Sequence, residues 1–286
     1  MSHVSVIGTG AMGSALVQAF AASGANVTVW NRSGHKADAL SGPQVEVAAS
    51  AAEALETSPL AILTVSDHEQ AQALVDTSGA DLRGTVVASA SFVTPEQART
   101  VDRVVAATGG QYLDLAIPAY PSQVRSGDGY FLVSGRRSAY EAHRERFERI
   151  GQVSYVDDSP GAAFASEMAV LLAYLPMAVG MLQGRRICEI HGLPLEWFDE
   201  TVMELYPDQI RSLLERASLE PDASEGDVEA SVGVWGAGAS EYADALRDLG
   251  IDAGMYDALS RLFAAASEAG DGDADWTCIA KHTATR

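Results

Sequence analysis

The run V-I-G-T-G-A-M-G at residues 6–13 constrains this chain more than any other segment. It begins in a short apolar strand, residues 4–7, and opens a helical pattern carried by Met12, Ala15, Leu16, Ala19 and Phe20. Ser23-Gly24 then stops the helix, and a second strand follows at 27–30. A strand, a glycine turn and a helix in that order form the dinucleotide fingerprint. Gly8 permits the tight turn, Gly10 lets the backbone approach a pyrophosphate, and Gly13 lets helix and strand pack closely. The helix N-terminus supplies unpaired N–H groups and partial positive charge for the phosphates.

The end of the second strand indicates which dinucleotide. An NAD site places Asp or Glu there for the ribose 2′-hydroxyl, but this strand ends Trp30-Asn31-Arg32-Ser33, with Lys36 following. Arg32 suits bidentate binding of a 2′-phosphate, Asn31 and Ser33 offer hydrogen bonds, and Lys36 adds charge. NADP is therefore the expected cofactor.

Further strands are expected at 61–65, 85–88, 111–115, 130–133 and 153–156, with helices from Asp67, from Thr94-Pro95-Glu96 and over 139–149. Thr94 as cap, Pro95 at the first helical position and Gln97 three residues after the cap form a capping signature. Strand signals cease after Ser159-Pro160-Gly161, and 162–191 reads as one helix about 45 Å long with a kink expected at Pro176. The expected fold class is α/β: an N-terminal doubly wound Rossmann sheet at 1–159, then the long interdomain helix and an all-α domain at 160–286. At roughly 150 residues per domain, 286 residues also give about two.

Composition excludes several partners. A formal charge of −20 opposes nucleic acid and an anionic membrane face, while 47% apolar residues allow a sizeable core. Residues 220–229 form an acidic, poorly periodic stretch. Cys188 and Cys278 form no C-x-x-C pair, and the six histidines show no ligand spacing, so no metal site is expected. Free thiols and the lack of a signal-peptide pattern favour the cytoplasm. From 162 to 182 the only charge is Glu167. That length could cross a bilayer, but the carboxylate makes a buried helix, surrounded by other helices, the better reading.

A carboxylate on such a helix needs a partner or a chemical role. The residues alone leave both open: a satisfied structural Glu, or a catalytic one sharing a helix face with Leu171 and Tyr174.

The sequence resembles the imine reductase and reductive aminase family, within the β-hydroxyacid dehydrogenase superfamily. The resemblance rests on the glycine turn, V-T-V-W-N-R-S with Lys36 at 27–36, V-S-D at 65–67, T-P-E-Q-A-R at 94–99, Y-L-D-L-A-I at 112–117 and A-G-D-G-D at 269–273. It implies an NADPH-dependent homodimer with interlocked C-terminal helices, its cleft lying between the Rossmann domain of one subunit and helices of the other. Gly8, Gly10, Ala11, Met12, Gly13, Asn31, Arg32, Ser33, Lys36, Val65 and Ser66 would hold the cofactor. Hydroxyacid dehydrogenases present a catalytic Lys six residues after a Gly, where imine reductases commonly carry Asp or Tyr. Counting from Gly161 gives Glu167, an acidic version one methylene longer. Leu115 stands where the family usually has Gly, and Phe92-Val93 replace small or polar residues. Tyr174 and Tyr120 are the further catalytic candidates, and Trp197 and Tyr206 candidate pocket walls.

Charge supports nitrogen over oxygen as the hydride acceptor's heteroatom. At about 4 Å and an effective dielectric near 20, a unit charge pair is worth about 4 kcal/mol, so Glu attracts an iminium that Lys would repel. The expected activity is NADPH-dependent reduction of an imine or enamine-derived iminium, with Glu167 stabilising or protonating it. The rivals are a hydroxyacid or carbonyl oxidoreductase and a non-catalytic NADPH-binding protein.

Overall fold

The computed structural model describes residues 3–91, 94–216 and 228–283. Phe92 and Val93 lie outside these, as does the acidic stretch up to residue 227. The chain divides into two compact units, Met1–Ala173 and Tyr174–Arg286.

In the first unit eight strands form one sheet: β1 (His3–Ile7), β2 (Asn26–Trp30), β3 (Val45–Val47), β4 (Leu60–Leu63), β5 (Val86–Ser89), β6 (Gln111–Ala116), β7 (Gly129–Gly135) and β8 (Gly151–Asp157). Their order is β3-β2-β1-β4-β5-β6-β7-β8, parallel throughout except where β6 meets β7. Helices α1 (Ala11–Ala22), α2 (Gly34–Asp38), α3 (Ala51–Glu56), α4 (His68–Ser78), α5 (Pro95–Ala107), α6 (Pro121–Ser126) and α7 (Arg137–Glu148) make the connections. The central strands are buried on both faces, which is why β4 reads as an unbroken apolar run and even Ser5 of β1 is buried. One face packs Leu16, Phe20, Phe131 and Phe147; the other packs Leu55, Leu63, Val101 and Val105.

The expected capping signature of α5 is present: the Gln97 N–H donates to the Thr94 hydroxyl at 3.3 Å and the Thr94 N–H to the Gln97 side chain at 2.7 Å. Strand β3 and helices α2, α3 and α6 were not legible in the sequence. Each has three to six residues, too few for either hydrophobic period to register. Val65, expected as the end of a strand, lies beyond Leu63, where β4 stops.

Helix α8 (Ala162–His191) runs unbroken through Pro176. The division between compact units falls within it, fourteen residues after the expected change at 159/160, because its first turns lie against the sheet of the first unit. Gly161 makes that approach: its φ is +93°, and a Cβ there would strike the Pro95 backbone.

The second unit contains the remainder of α8, then α9 (Leu195–Arg216), α10 (Val232–Asp248) and α11 (Gly254–Ala266). A π-helical turn at Ser267–Asp271 and a 3-10 helix at Trp276–His282 follow. Phe198 packs so tightly on Gly184 that a Cβ would meet the ring at 2.6 Å, which sets the approach of α9 to α8. Val232, Ala239, Phe263 and Ala266 form a small core between α10 and α11.

The expectation that the chain's own helices surround α8 is not met. Of its most apolar 18 residues only 6% are buried, and the helix is long and apolar enough to cross a membrane by length and composition. Leu172, Leu175, Val179 and Leu182 stand exposed, and α9 buries none of its residues, so the apolar faces of this unit exceed what one chain covers.

Candidate active site at the carboxyl edge of the sheet

The glycine turn has the shape its sequence requires. Gly8 adopts a φ of +105°, and a Cβ there would stand 2.5 Å from the Thr64 carbonyl oxygen. A Cβ on Gly13 would strike the Gly8 carbonyl oxygen, whereas one on Gly10 would meet nothing within 4 Å. Gly8 and Gly13 are therefore packed against protein, and Gly10 faces open space where a phosphate can approach. The Thr64 hydroxyl donates to the Gly8 carbonyl at 2.8 Å and pins the turn to the end of β4. Gly10 caps α1 without a side chain, and no acidic residue occupies the first turn, so Ala11 and Met12 present helix N–H groups unopposed. These features fit a dinucleotide pyrophosphate.

Asn31, Arg32, Ser33 and Lys36 come together at the end of β2, but not in one role. The Asn31 carbonyl accepts the Thr9 N–H at 3.1 Å, and its amide donates to the Ser33 carbonyl at 3.1 Å. Its side chain thus ties the β2 exit to the glycine turn. Arg32 and Lys36 are exposed, and Ser33 is half-buried at the start of α2. His35, exposed between them on α2, adds a third basic side chain that sequence reading passed over. Val65 and Ser66 lie in the loop after β4, ahead of Asp67, whose carboxylate accepts the Gln70 N–H at 2.9 Å to cap α4.

Two carboxylates occupy the far side of the same edge. On β6, Asp114 is fully buried. Its Oδ2 accepts the Phe164 N–H at 3.1 Å and the Ser134 hydroxyl at 3.3 Å, while the Ser134 hydroxyl in turn accepts the Ala163 N–H at 2.9 Å. The sheet register sets Asp114 opposite Ser134, so strands β6 and β7 together receive the first turn of α8. Its other oxygen, Oδ1, is buried without a hydrogen-bond partner. Burial pushes the Asp114 pKa up to about 6, against the opposing pull of the Phe164 amide, the Ser134 hydroxyl and the amides of Gly161 and Ala163.

Glu167, one turn further along α8, is half-buried. Burial raises its pKa above the usual carboxylate range; the Ile117 N–H, hydrogen-bonded to it, lowers the pKa, and the charge of Asp114 raises it again. The two attachments repeat at one interval: 114 holds 164, and three residues on in both segments 117 holds 167. The strand exit thereby clamps the helix that carries Glu167. Asp114 was missed as a site residue, although a lone acid inside Y-L-D-L-A-I was the available signal.

The other expected residues are more dispersed. Tyr120 is 63% exposed at the start of α6, where its backbone N–H donates to the Gln123 side chain at 2.8 Å. Tyr174 begins the second unit and is 40% exposed. Tyr206 helps line a cavity of about 220 Å³ with Phe198, Tyr242 and Tyr256, while Trp197 is exposed. Among the described residues no three His, Cys, Asp or Glu side chains gather as a metal site.

Residues 3–158 match the model of the NAD-binding domain of 6-phosphogluconate dehydrogenase, and residues 159–285 match that of the C-terminal domain of NADPH-dependent reductive aminase-like proteins. The chain belongs to the imine reductase and reductive aminase family. It carries the family's NAD(P)-binding domain, with the glycine turn described above. A solved imine reductase from Myxococcus stipitatus in complex with NADP+ is 26% identical, superposes with a TM-score of 0.86, and covers 99% of this chain and 100% of its own. An NADPH-dependent reductive aminase from Aspergillus oryzae is 24% identical over 63% of this chain and 61% of its own length. The cytokine-like nuclear factor N-PAC of Anopheles gambiae is 28% identical over 65% of this chain. The match spans only 34% of that longer protein.

Proposed function

We propose that the chain is an NADPH-dependent reductase of C=N bonds, acting on an imine, or on an enamine through its iminium tautomer, with Glu167 as the acid that meets the nitrogen. The observation carrying this reading is the half-buried Glu167 carboxyl at the sheet's carboxyl edge, the edge where open α/β sheets bind their ligands. The bound nicotinamide supplies hydride. Gly8, Gly10 and Gly13 give its pyrophosphate close access to backbone, and the first amides of α1 face the phosphate charge.

Glu167 has a raised pKa, so it retains its proton to a higher pH than an exposed glutamate. It can therefore give that proton to an imine nitrogen. The carboxylate left behind faces the iminium it has created, a charge arrangement that a lysine at this position would oppose. The Ile117 N–H holds this carboxylate at one oxygen-bearing edge. Tyr174 and Tyr120 are proposed to orient substrate, Tyr174 from the same helix and Tyr120 from the start of α6.

Glu167→Gln is expected to lower kcat/KM for a cyclic imine by about 10²–10³-fold while the Kd for NADPH stays within about twofold. Full turnover in that variant would remove Glu167 from the mechanism. Arg32 is proposed to clamp the 2′-phosphate, with Ser33, Lys36 and the β2-exit geometry held by Asn31 in support. Val65 and Ser66 are proposed to line the cofactor from the loop after β4. Arg32→Ala should weaken NADPH by about tenfold or more, roughly one charge-assisted bidentate contact, and leave NADH binding nearly unchanged. Equal losses for both cofactors would place the 2′-phosphate elsewhere.

We also propose that a second copy of the chain covers α8 and α9, making residues 160–286 the substrate and dimerisation domain. Leu172, Leu182, Met203 and Leu214 are each 66–72% exposed, and they occupy the long helices that the chain leaves uncovered. Free Cys188 and Cys278 suit a reducing cytoplasm, where we place the protein. Sedimentation equilibrium without detergent should give twice the 30.0 kDa of one chain. A monomer, or a particle held in solution only by detergent, would contradict the dimer.

A further inference from the structure

Asp114 touches no position where substrate is proposed to bind, and neither its depth nor its unpartnered oxygen is needed to hold a strand in a sheet. It is fully buried, and its Oδ1 has no hydrogen-bond partner. Burying an ionisable oxygen in this way costs free energy, so the arrangement needs an account beyond packing. Its place supplies one. The carboxyl lies at the N-terminus of a 30-residue helix whose first-turn amides it and Ser134 receive, one turn before Glu167.

We propose that Asp114 is a positioning residue for Glu167: it seats the first turn of α8 on strands β6 and β7, and thereby sets where the Glu167 carboxyl stands and the electrostatic field it experiences. The proposal rests on the reading of Glu167 as the substrate-facing acid, but concerns a different property of that group. Burial raises the Asp114 pKa to about 6, and the helix amides oppose that rise by favouring its charged form. The charge of Asp114 opposes ionisation of Glu167. The titratable groups acting around the pair are few. Tyr112, on β6 itself, is buried and pushed up by burial and by the charges of Asp114 and of Asp102 on α5. Strands β5 and β7 contribute only the hydroxyls of Ser89 and Ser134, and α8 contributes Glu167. Among the described residues no lysine or arginine forms an ion pair with either carboxyl.

The test is a carbon-13 NMR titration of side-chain carboxyls in the full-length protein labelled at glutamate. The Glu167 signal is assigned as the resonance missing from Glu167→Gln. Asp114→Asn keeps an oxygen for the Phe164 N–H and removes the charge. In it the Glu167 midpoint should fall by about one pH unit or more, since at an effective dielectric near 20 a unit charge even ~12 Å away contributes about one unit. NADPH binding should be unchanged.

An unmoved midpoint in a folded variant would reduce Asp114 to a helix cap and overturn the proposal. Should Asp114→Asn fail to fold, the unmodified protein decides. Its Glu167 signal should titrate in two steps, one of them near the Asp114 midpoint of about 6. A single step at the position of a free glutamate would overturn the proposal. If the midpoint moves while Glu167→Gln retains full imine turnover, the coupling stands and the catalytic reading of Glu167 fails.

Discussion

The attachment of α8 to the exit of β6 is the interaction on which the rest of the first unit's chemistry depends. The proposed reaction pairs phosphate-binding amides at one end of the sheet's carboxyl edge with an acid at the other. Here the acid comes from a helix that enters after the last strand, so its position is set by how that helix docks. Gly161 turns the chain onto Pro95, Asp114 and Ser134 receive the first amides, and Ile117 bonds Glu167. Removing any of these would leave Glu167 on a helix free to rock, and a displacement of about 1 Å at a reacting group is enough to lose much of its effect.

Burial acts on the two carboxyls in the same direction, with different consequences. Asp114 lies at the mouth of a helix dipole and accepts backbone amides, which keeps its ionisation within reach near pH 6. At Glu167, burial and the neighbouring negative charge favour the protonated form, against the pull of a single backbone amide. Two acids, one on β6 and one on the helix it receives, are thus separated in character by what surrounds them. The dinucleotide side of the edge uses the opposite sign: exposed Arg32 and Lys36, with His35 between them, stand on a chain whose formal charge is −20.

Much of this was legible in the residues. The glycine turn, the Thr94 cap and the long helix are signals carried by local stereochemistry, which a sequence states directly. Glu167 was visible because it interrupts an apolar run. Asn31 was visible as a site residue, yet its side chain binds Thr9 and Ser33, because hydrogen bonds between the ends of two parallel strands depend on register that no local pattern encodes. Asp114 was missed for the same reason: its partners lie 20 and 50 residues away on β7 and α8. The exposure of α8 was misread because an apolar helix is expected to be covered within its own chain, and periodicity does not say whose atoms provide the cover.

The proposed reaction requires Glu167 to meet the substrate nitrogen. A crystal structure of the NADPH complex with a bound cyclic amine tests this most directly. It should place a Glu167 carboxylate oxygen about 2.6–3.2 Å from the amine nitrogen, with the Ile117 N–H still on the carboxylate. A nitrogen turned toward another polar group, with Glu167 remaining on Ile117 and out of hydrogen-bond reach, would contradict it.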